Sequence, residues 1–484
     1  MKLLESYFSA FESTHRLLHP QEFYKELNTL WINDSPLSSE WLAQLFMMLA
    51  LGCQAAPDQA LANTGQNPEN LTDDLLDAAH FFFSQCKYIT APNLTTLRVL
   101  CLAAMARMMG IIKEAEVAQP VSLMGFVTRL AMEMHLHQKS SLLPHIAAFE
   151  AEMRKRIWVT VQLLDLDTAM RTGTSYLHRE QDAEPPIDIN DTDFSLSEHG
   201  WVVPKAVPCG PTDSTYQVKL AALLPILTDV IKTVNSPTLL AIDRERLHSW
   251  DAALRQKLQE AEATLSLRYD QPHSSPETIE AQIDFLRVLV HRALLALHFS
   301  YIRTSSFAIM QSSFELLRIQ RRWLSRSPLV ISAAEAQTRT SPSTDPAIYQ
   351  SFEEPALPLS WLSDICHDDF GAAMLHLILA MREGDFETVK HASLPSRQGA
   401  MDILRESLEF KRGGACRSIL HFREFVQLSL SVSCIASFQA GEPMLPGLLE
   451  AANEIEGLFL TQRSEIFAGE AELRLDPFGF GYPL

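Results

Sequence analysis

Residues 149–168 read FEAEMRKRIWVTVQLLDLDT, and their spacing decides the fold class. Phe149, Met153, Ile157, Val161 and Leu164 recur at intervals of four, four, four and three, the signature of a helix with one apolar stripe. Glu150–Arg154 and Glu152–Arg156 set opposite charges four apart on its flank, pairs worth roughly 0.2–0.5 kcal/mol each on an exposed helix. With those carboxylates beside it, the basic run Arg154-Lys155-Arg156 reads as a solvated helix face, not a phosphate site. Arg154, Trp158, Val161 and Asp165 fall on one side of the same helix. Arg154 can lie over the Trp158 ring, a contact of about 0.5–2 kcal/mol depending on burial. Asp165 can take a backbone donor or an Arg from a neighbouring helix. This row either orders a bundle or lines a ligand pocket. Gly173 falls where a left-handed stop would end the helix.

Outward from this stretch the same periodicity recurs. Trp41, Leu42, Leu45, Phe46 and Leu49 form one stripe, and Leu75, Leu76, Ala79, Phe82 and Phe83 another. Leu94 to Ile112 is apolar almost all round, as expected of a helix buried inside a bundle, with Pro92-Asn93 as its start. Further helices are expected from Tyr216 (kinked or restarted at Pro225), at Leu247–Leu258, Ile279–Ile302, Phe307–Arg326, Trp361–Arg382 and Ile419–Ser437. The Pro- and Asp-rich stretch Asp182–Thr212 reads as a long surface connection, and Ser327–Pro358 as a low-complexity one. No strand alternation appears. The expectation is an all-α, large multi-helix bundle with long loops near 182–212 and 327–360. Residues 1–325 would form the main helical domain, 326–360 a low-complexity loop and 361–484 a C-terminal helical part packed on the same body.

Composition agrees. The chain has 484 residues with 47% apolar and 20% charged, ordinary globular usage that excludes wholesale disorder. The net charge of −19 argues against unaided nucleic-acid binding, which needs excess cations to displace counterions from phosphate. Seven cysteines are scattered without a C-x-x-C pair, so neither a disulfide framework nor a zinc site is expected. No apolar run reaches the ~20 residues of a membrane span.

The order of motifs carries more than any one of them. Tyr7-Phe8-Ser9-Ala10-Phe11 precedes His19-Pro20-Gln21-Glu22-Phe23. Then follow LFMMLALGCQ (45–54), NLTTLRVLC (93–101), LAMEMHLHQK (130–139), FEAEMRKRIW (149–158), Leu164-Asp165-Leu166-Asp167 and Arg171-Thr172-Gly173-Thr174. This series resembles the middle homology region of fungal zinc-cluster transcription factors. That family shows YF…H-P-x-F, a P-x-L-x-T-L-Q-A-L-L helix, G-L-H-R, then E-x-R-R-R-x-W-W…L-D-R…G-R-P. The likeness is good over roughly residues 5 to 195, weaker through His291-Arg292, and compositional beyond residue 325. Val159 replaces the second Trp, Asp167 the Arg, Gly173-Thr174 lacks Arg-Pro, and His135 stands where a helix-ending Gly is common. The family's six-cysteine DNA-binding cluster, with its C-x2-C-x6-C spacing, has no counterpart here.

The resemblance implies a helical regulator of transcription in the nucleus, or nucleus and cytoplasm. It would sense a small molecule or a partner and work with other transcription regulators or a paralogue that carries the DNA-binding module. The alternative is a recruited secondary-metabolism enzyme (cyclase, isomerase or dehydratase) templating its reaction in an inter-helix cavity. For such chemistry the sequence offers Asp364, His367 and Asp368, which on one continuous helix would share a face, with His376 over two turns on. The bland reading of these residues is a solvated acidic first turn. Arg154, Trp158, Asp165, Arg171, His135 and His137 are the candidates for a ligand pocket or a structural motif. His135 and His137 point to different faces of a helix, which favours a helix-end role over metal binding. Phosphate-loop, dinucleotide, metalloprotease and serine-hydrolase motifs are all absent, so no cofactor and no metal is expected.

Overall fold

The computed structural model describes residues 1–32, 37–56, 68–112, 120–139, 146–177, 183–193, 210–236, 243–270, 275–299, 301, 305–325, 360–383, 394–415 and 419–466. Among them are sixteen α-helices and no strand. The helices are α1 Lys2–Ala10, α2 Pro20–Ile32, α3 Ser39–Ala55, α4 Pro68–Ser84, α5 Leu94–Met108, α6 Pro120–Glu133, α7 Ala148–Thr172 and α8 Thr215–Val234. They continue with α9 Arg244–Ser266, α10 Pro276–Phe299, α11 Ser306–Ser325, α12 Ser360–Ile365, α13 His367–Glu383, α14 Arg397–Gly414, α15 Ile419–Ala440 and α16 Met444–Ile466. The all-α expectation is met. The loop expected at 327–360 lies outside the described residues save for Ser360, which opens α12.

Two helices form the axis of the body. Every residue of α7 from Arg156 to Met170 is buried, so the apolar stripe read from the sequence is only part of a helix enclosed on all sides. Helix α5 is enclosed almost as fully, and Asn93 starts it with a capping box. The Asn93 side chain accepts the Thr96 N–H at 2.9 Å, and the Thr96 hydroxyl accepts the Asn93 N–H at 3.0 Å. Around these two pack α3 and α6 on one side and α8 and α10 on the other. Helix α3 packs its stripe of large residues on the core and buries the positions beside it more deeply. Ala43, Gln44, Met47, Met48 and Leu51 are buried, while Leu42, Leu45, Phe46 and Leu49 are half-buried. Phe46 stacks on Phe82 of α4, at 5.7 Å between ring centroids.

The ends of α6 and α7 follow stop geometry. His135 sits in the left-handed region (φ 62°). Its N–H bonds the Met132 carbonyl and the Leu136 N–H the Ala131 carbonyl, the paired bonds of a Schellman stop. Gly173 is left-handed at the end of α7, as its position implied. Helix α8 runs through Pro225 without a restart.

The C-terminal helices pack against this body. Trp361 of α12 meets Phe11 at 4.6 Å between ring centroids, α13 packs on α10 and α11, and α14 and α15 follow. The helix expected over Trp361–Arg382 is broken at Cys366. The Asp369 N–H turns to the Cys366 carbonyl at 3.0 Å, and the freed Ile365 carbonyl accepts Arg171 instead. Helix α16 leans on α15 with Leu445, Leu449 and Leu460 exposed. No helix among the described residues is long and apolar enough to cross a membrane.

Candidate functional site

The run Arg154-Lys155-Arg156 is not the solvated face its composition indicated. The Arg156 side chain is fully buried, and Arg154 and Lys155 are each 14% exposed. Arg156 spreads its guanidinium over three partners: Glu152 at 3.4 Å, Asp191 at 2.8 Å and the Ser214 hydroxyl at 2.9 Å. A buried Arg is tolerable only when its charge is paired and its donors are used, and this one is. Asp191 lies inside the stretch read as a surface connection. Residues 183–193 run over the surface with only Pro186 and Ile189 buried, and dock on the body where Asp191 also pairs with Arg16 and its carbonyl meets His19. Burial alone would raise the Asp191 carboxyl, but Arg16 and Arg156 outweigh it and hold it at about 2. Asp188 joins the same network by accepting the Thr212 and Thr215 hydroxyls at 2.5 and 2.7 Å. The connection is therefore structural cement, because Asp191 adds a second carboxylate to Arg156 and bridges it to Arg16.

The candidate row on α7 sits within the body. Trp158 is buried, with its ring 6.2 Å from that of His137. Arg154 donates to Glu150 at 3.3 Å and to the Met134 carbonyl at 3.1 Å, beside the stop that His135 forms. Asp165 accepts the Leu177 N–H at 3.2 Å, and burial pushes its carboxyl up to about 7. The rings of His135 and His137 lie 6.5 Å apart on a backbone that has already left the helix.

The acidic group near the start of α13 forms a second cluster. Arg171, at the end of α7, bonds Asp167 at 2.9 Å and Asp368 at 2.8 Å, and comes within 3.9 Å of Asp369. Arg292 of α10 meets Asp369 at 3.3 Å. His367 bonds Asp368 at 3.2 Å and Glu424 of α15, while Lys411 of α14 bonds Glu424 at 2.8 Å and the His367 carbonyl at 2.6 Å. Asp364 lies across the break at Cys366, and Glu424 is the second carboxylate on His367. Burial and Lys411 work against protonation of His367, but its bonds to Asp368 and Glu424 prevail and raise its pKa. A histidine whose two ring nitrogens are both taken up by carboxylates is poorly placed as a general base. His367, Asp368 and Glu424 could gather on a cation, their nearest ligand atoms all lying within 4.8 Å, but only by displacing the cations already on those carboxylates. His376 stands apart, bonded to the Ala372 carbonyl, with burial lowering its pKa to about 4. The cluster is an ion-pair clamp between α7, α10, α13, α14 and α15. Gly371 makes room for it, since a Cβ there would stand 1.9 Å from Glu424 Oε1.

The ligand-sized space is elsewhere. A cleft of about 410 Å³ opens between α2, α3, α5 and the start of α7, within the range typical of small-molecule sites. Phe23, Trp41 and Phe149 line it, with Gln44, Glu26 and Arg98 as polar groups. Phe23 and Trp41 stack at 5.4 Å with ring planes 6° apart, and the Trp41 Nε1–H donates to Glu26 at 2.8 Å. Arg98 Nε and Gln44 Oε1 are buried without a hydrogen-bond partner. Burial lowers the Arg98 pKa, with Glu12 and Glu26 opposing. None of the site residues named from the sequence lines this cleft. Arg98 lay inside a motif quoted for its apolar positions, and the available signal was that it stands where the family helix carries Gln.

Comparison with known proteins places this architecture. A family profile described as the fungal specific transcription factor domain matches residues 4–271. Transcription factor opdR of Penicillium oxalicum is 26% identical over 302 residues, 61% of this chain and 37% of that protein. Transcription factor lepE of Aspergillus flavus is 23% identical over 467 residues, 93% of this chain and 53% of that protein. The fusarisetin A cluster transcription factor fsa6 of a Fusarium species is 28% identical over 206 residues, 40% of this chain and 27% of that protein. The chain thus spans between about a third and about half the length of opdR and lepE. No solved structure matches it. With the profile covering more than half of the chain and the buried helices α5 and α7 inside the matched region, the chain belongs to the fungal specific transcription factor domain family.

Proposed function

We propose that the chain is a transcription regulator acting on a secondary-metabolite gene cluster in the nucleus, and that its helical body responds to a small molecule or a protein partner. The family membership carries this reading, and one relative is itself named for a fusarisetin A cluster. Contact with DNA would come through other regulators or a paralogue bearing the zinc cluster, since a net charge of −19 opposes direct attraction to phosphate. The His367 clamp gives catalysis no free base, and the ligand-sized cleft offers recognition groups. The test is deletion of the gene followed by transcript and metabolite profiling. Transcripts of a contiguous gene group are expected to fall together, with end product and intermediates falling alike. An unchanged transcript profile with one accumulating intermediate would overturn the reading in favour of an enzyme.

A further inference from the structure

We infer that the cleft between α2, α3 and α5 is a binding site for a planar aromatic or conjugated carboxylic acid that also carries a hydroxyl, with Arg98 and Gln44 as its polar anchors. This rests on the regulatory reading above and names the chemistry of the signal. Three observations converge. The first is size and lining. The volume of about 410 Å³ suits a small molecule of two or three fused rings, and Phe23, Trp41 and Phe149 offer flat faces for stacking.

The second is the placement of unsatisfied polarity. Gln44 is only 1% exposed, lines the cleft and leaves its Oε1 without a partner. An unmade hydrogen bond at a buried amide oxygen is a standing loss that a ligand hydroxyl would recover. Arg98 lines the same cleft with its Nε buried and unpartnered.

The third is charge. Glu26 accepts the Trp41 indole N–H and Glu22 the Lys25 ammonium at 2.7 Å, while Glu12 and Glu26 act on Arg98 through space and leave its Nε unbonded. Arg98 is the guanidinium among the described lining residues, and a ligand carboxylate would compete with those two for it. A guanidinium in a partly desolvated site binds a carboxylate through paired, charge-assisted hydrogen bonds.

The experiment is calorimetric titration of the full chain with 3-hydroxy-2-naphthoate, and with 2-naphthol as the analogue lacking the carboxylate. Saturable binding of the naphthoate is expected. Arg98→Gln should weaken it by about ten- to hundredfold, the scale of a lost charged hydrogen bond. Gln44→Leu should weaken it by a smaller factor, and 2-naphthol should bind the wild type as poorly as the naphthoate binds Arg98→Gln. Thermal melts of both variants matching the wild type would show that they fold. If either variant misfolds, the 2-naphthol comparison on the wild-type chain still decides the role of the carboxylate. No saturable heat with wild type, or equal affinity of the two compounds, would overturn the inference. Neither result would touch the transcript experiment, and an enzyme-like deletion profile would leave the binding result standing.

Discussion

Arg156→Met is expected to destabilise the fold by about 3–5 kcal/mol, the range for removing one partner of a buried ion pair. Met keeps much of the volume but leaves the buried Glu152 carboxylate without its bonded cation and Asp191 with Arg16 alone. The pH dependence has a definite sign. The Asp191 carboxyl is held at about 2 in the fold, below its unfolded value, so its stabilisation is present above about pH 4 and is lost as pH falls through 2. Arg156→Met removes part of that depression, so the deficit is largest at neutral pH and shrinks toward pH 3. Denaturant melts of variant and wild type at pH 7 and pH 3 measure it. A deficit below about 1 kcal/mol at pH 7 would mean that the network is replaceable polarity. Arg156→Lys should recover only a minor part, because a single ammonium cannot reach all three partners in the geometry of a planar fork.

Arg171→Met should cost a similar amount, about 3–5 kcal/mol, but with a different distribution. Its guanidinium holds Asp167 on its own helix, Asp368 at the start of α13 and the Ile365 carbonyl at the break between α12 and α13. Without it three carboxylates face one another, with Arg292 on Asp369 and His367 on Asp368 as the remaining partners. Burial raises the Asp369 carboxyl to about 7, against Arg171, with Asp167 adding to the rise. A carboxyl raised in this way favours the folded state more as pH falls, because proton uptake relieves the buried charge. The variant should therefore recover stability as pH falls from 8 to 5, a window well above the one in which the Arg156→Met deficit shrinks. Hydrogen exchange should quicken over residues 360–383 while residues 156–170 stay protected. Uniform loss of protection in both segments would show that the clamp is not a local fastening.

What the sequence disclosed and what it concealed follow from range. Helices α5 and α7 announced themselves because periodicity and caps are local: Asn93 and Gly173 sit where the ends were expected. The burial of Arg156 was hidden because an i, i+4 pair with Glu152 looks the same on a solvated flank as in a core. Its decisive partner, Asp191, lies 35 residues on in a stretch without periodicity. On α3 the stripe of large residues packs on the core, with Trp41 buried, but it did not show that Ala43 and Gln44 are fully buried beside it where close approach and the cleft require them. Glu424 and Lys411 could not be linked to His367, since their meeting depends on how α14 and α15 fold back, which no local pattern records. The fold class was legible because it is a sum of local signals. The cleft was not, because its polar anchors come from separate helices.

The claim at the centre is that this helical body acts on transcription through contacts with other molecules. The most direct measurement joins the chain to an unrelated DNA-binding domain and reads a reporter placed behind the matching site in a filamentous fungus. A several-fold change in reporter transcript, abolished when Arg156→Met unfolds the body, is the predicted result. A reporter indifferent to the tethered chain, with the fusion folded and present in the nucleus, would contradict it.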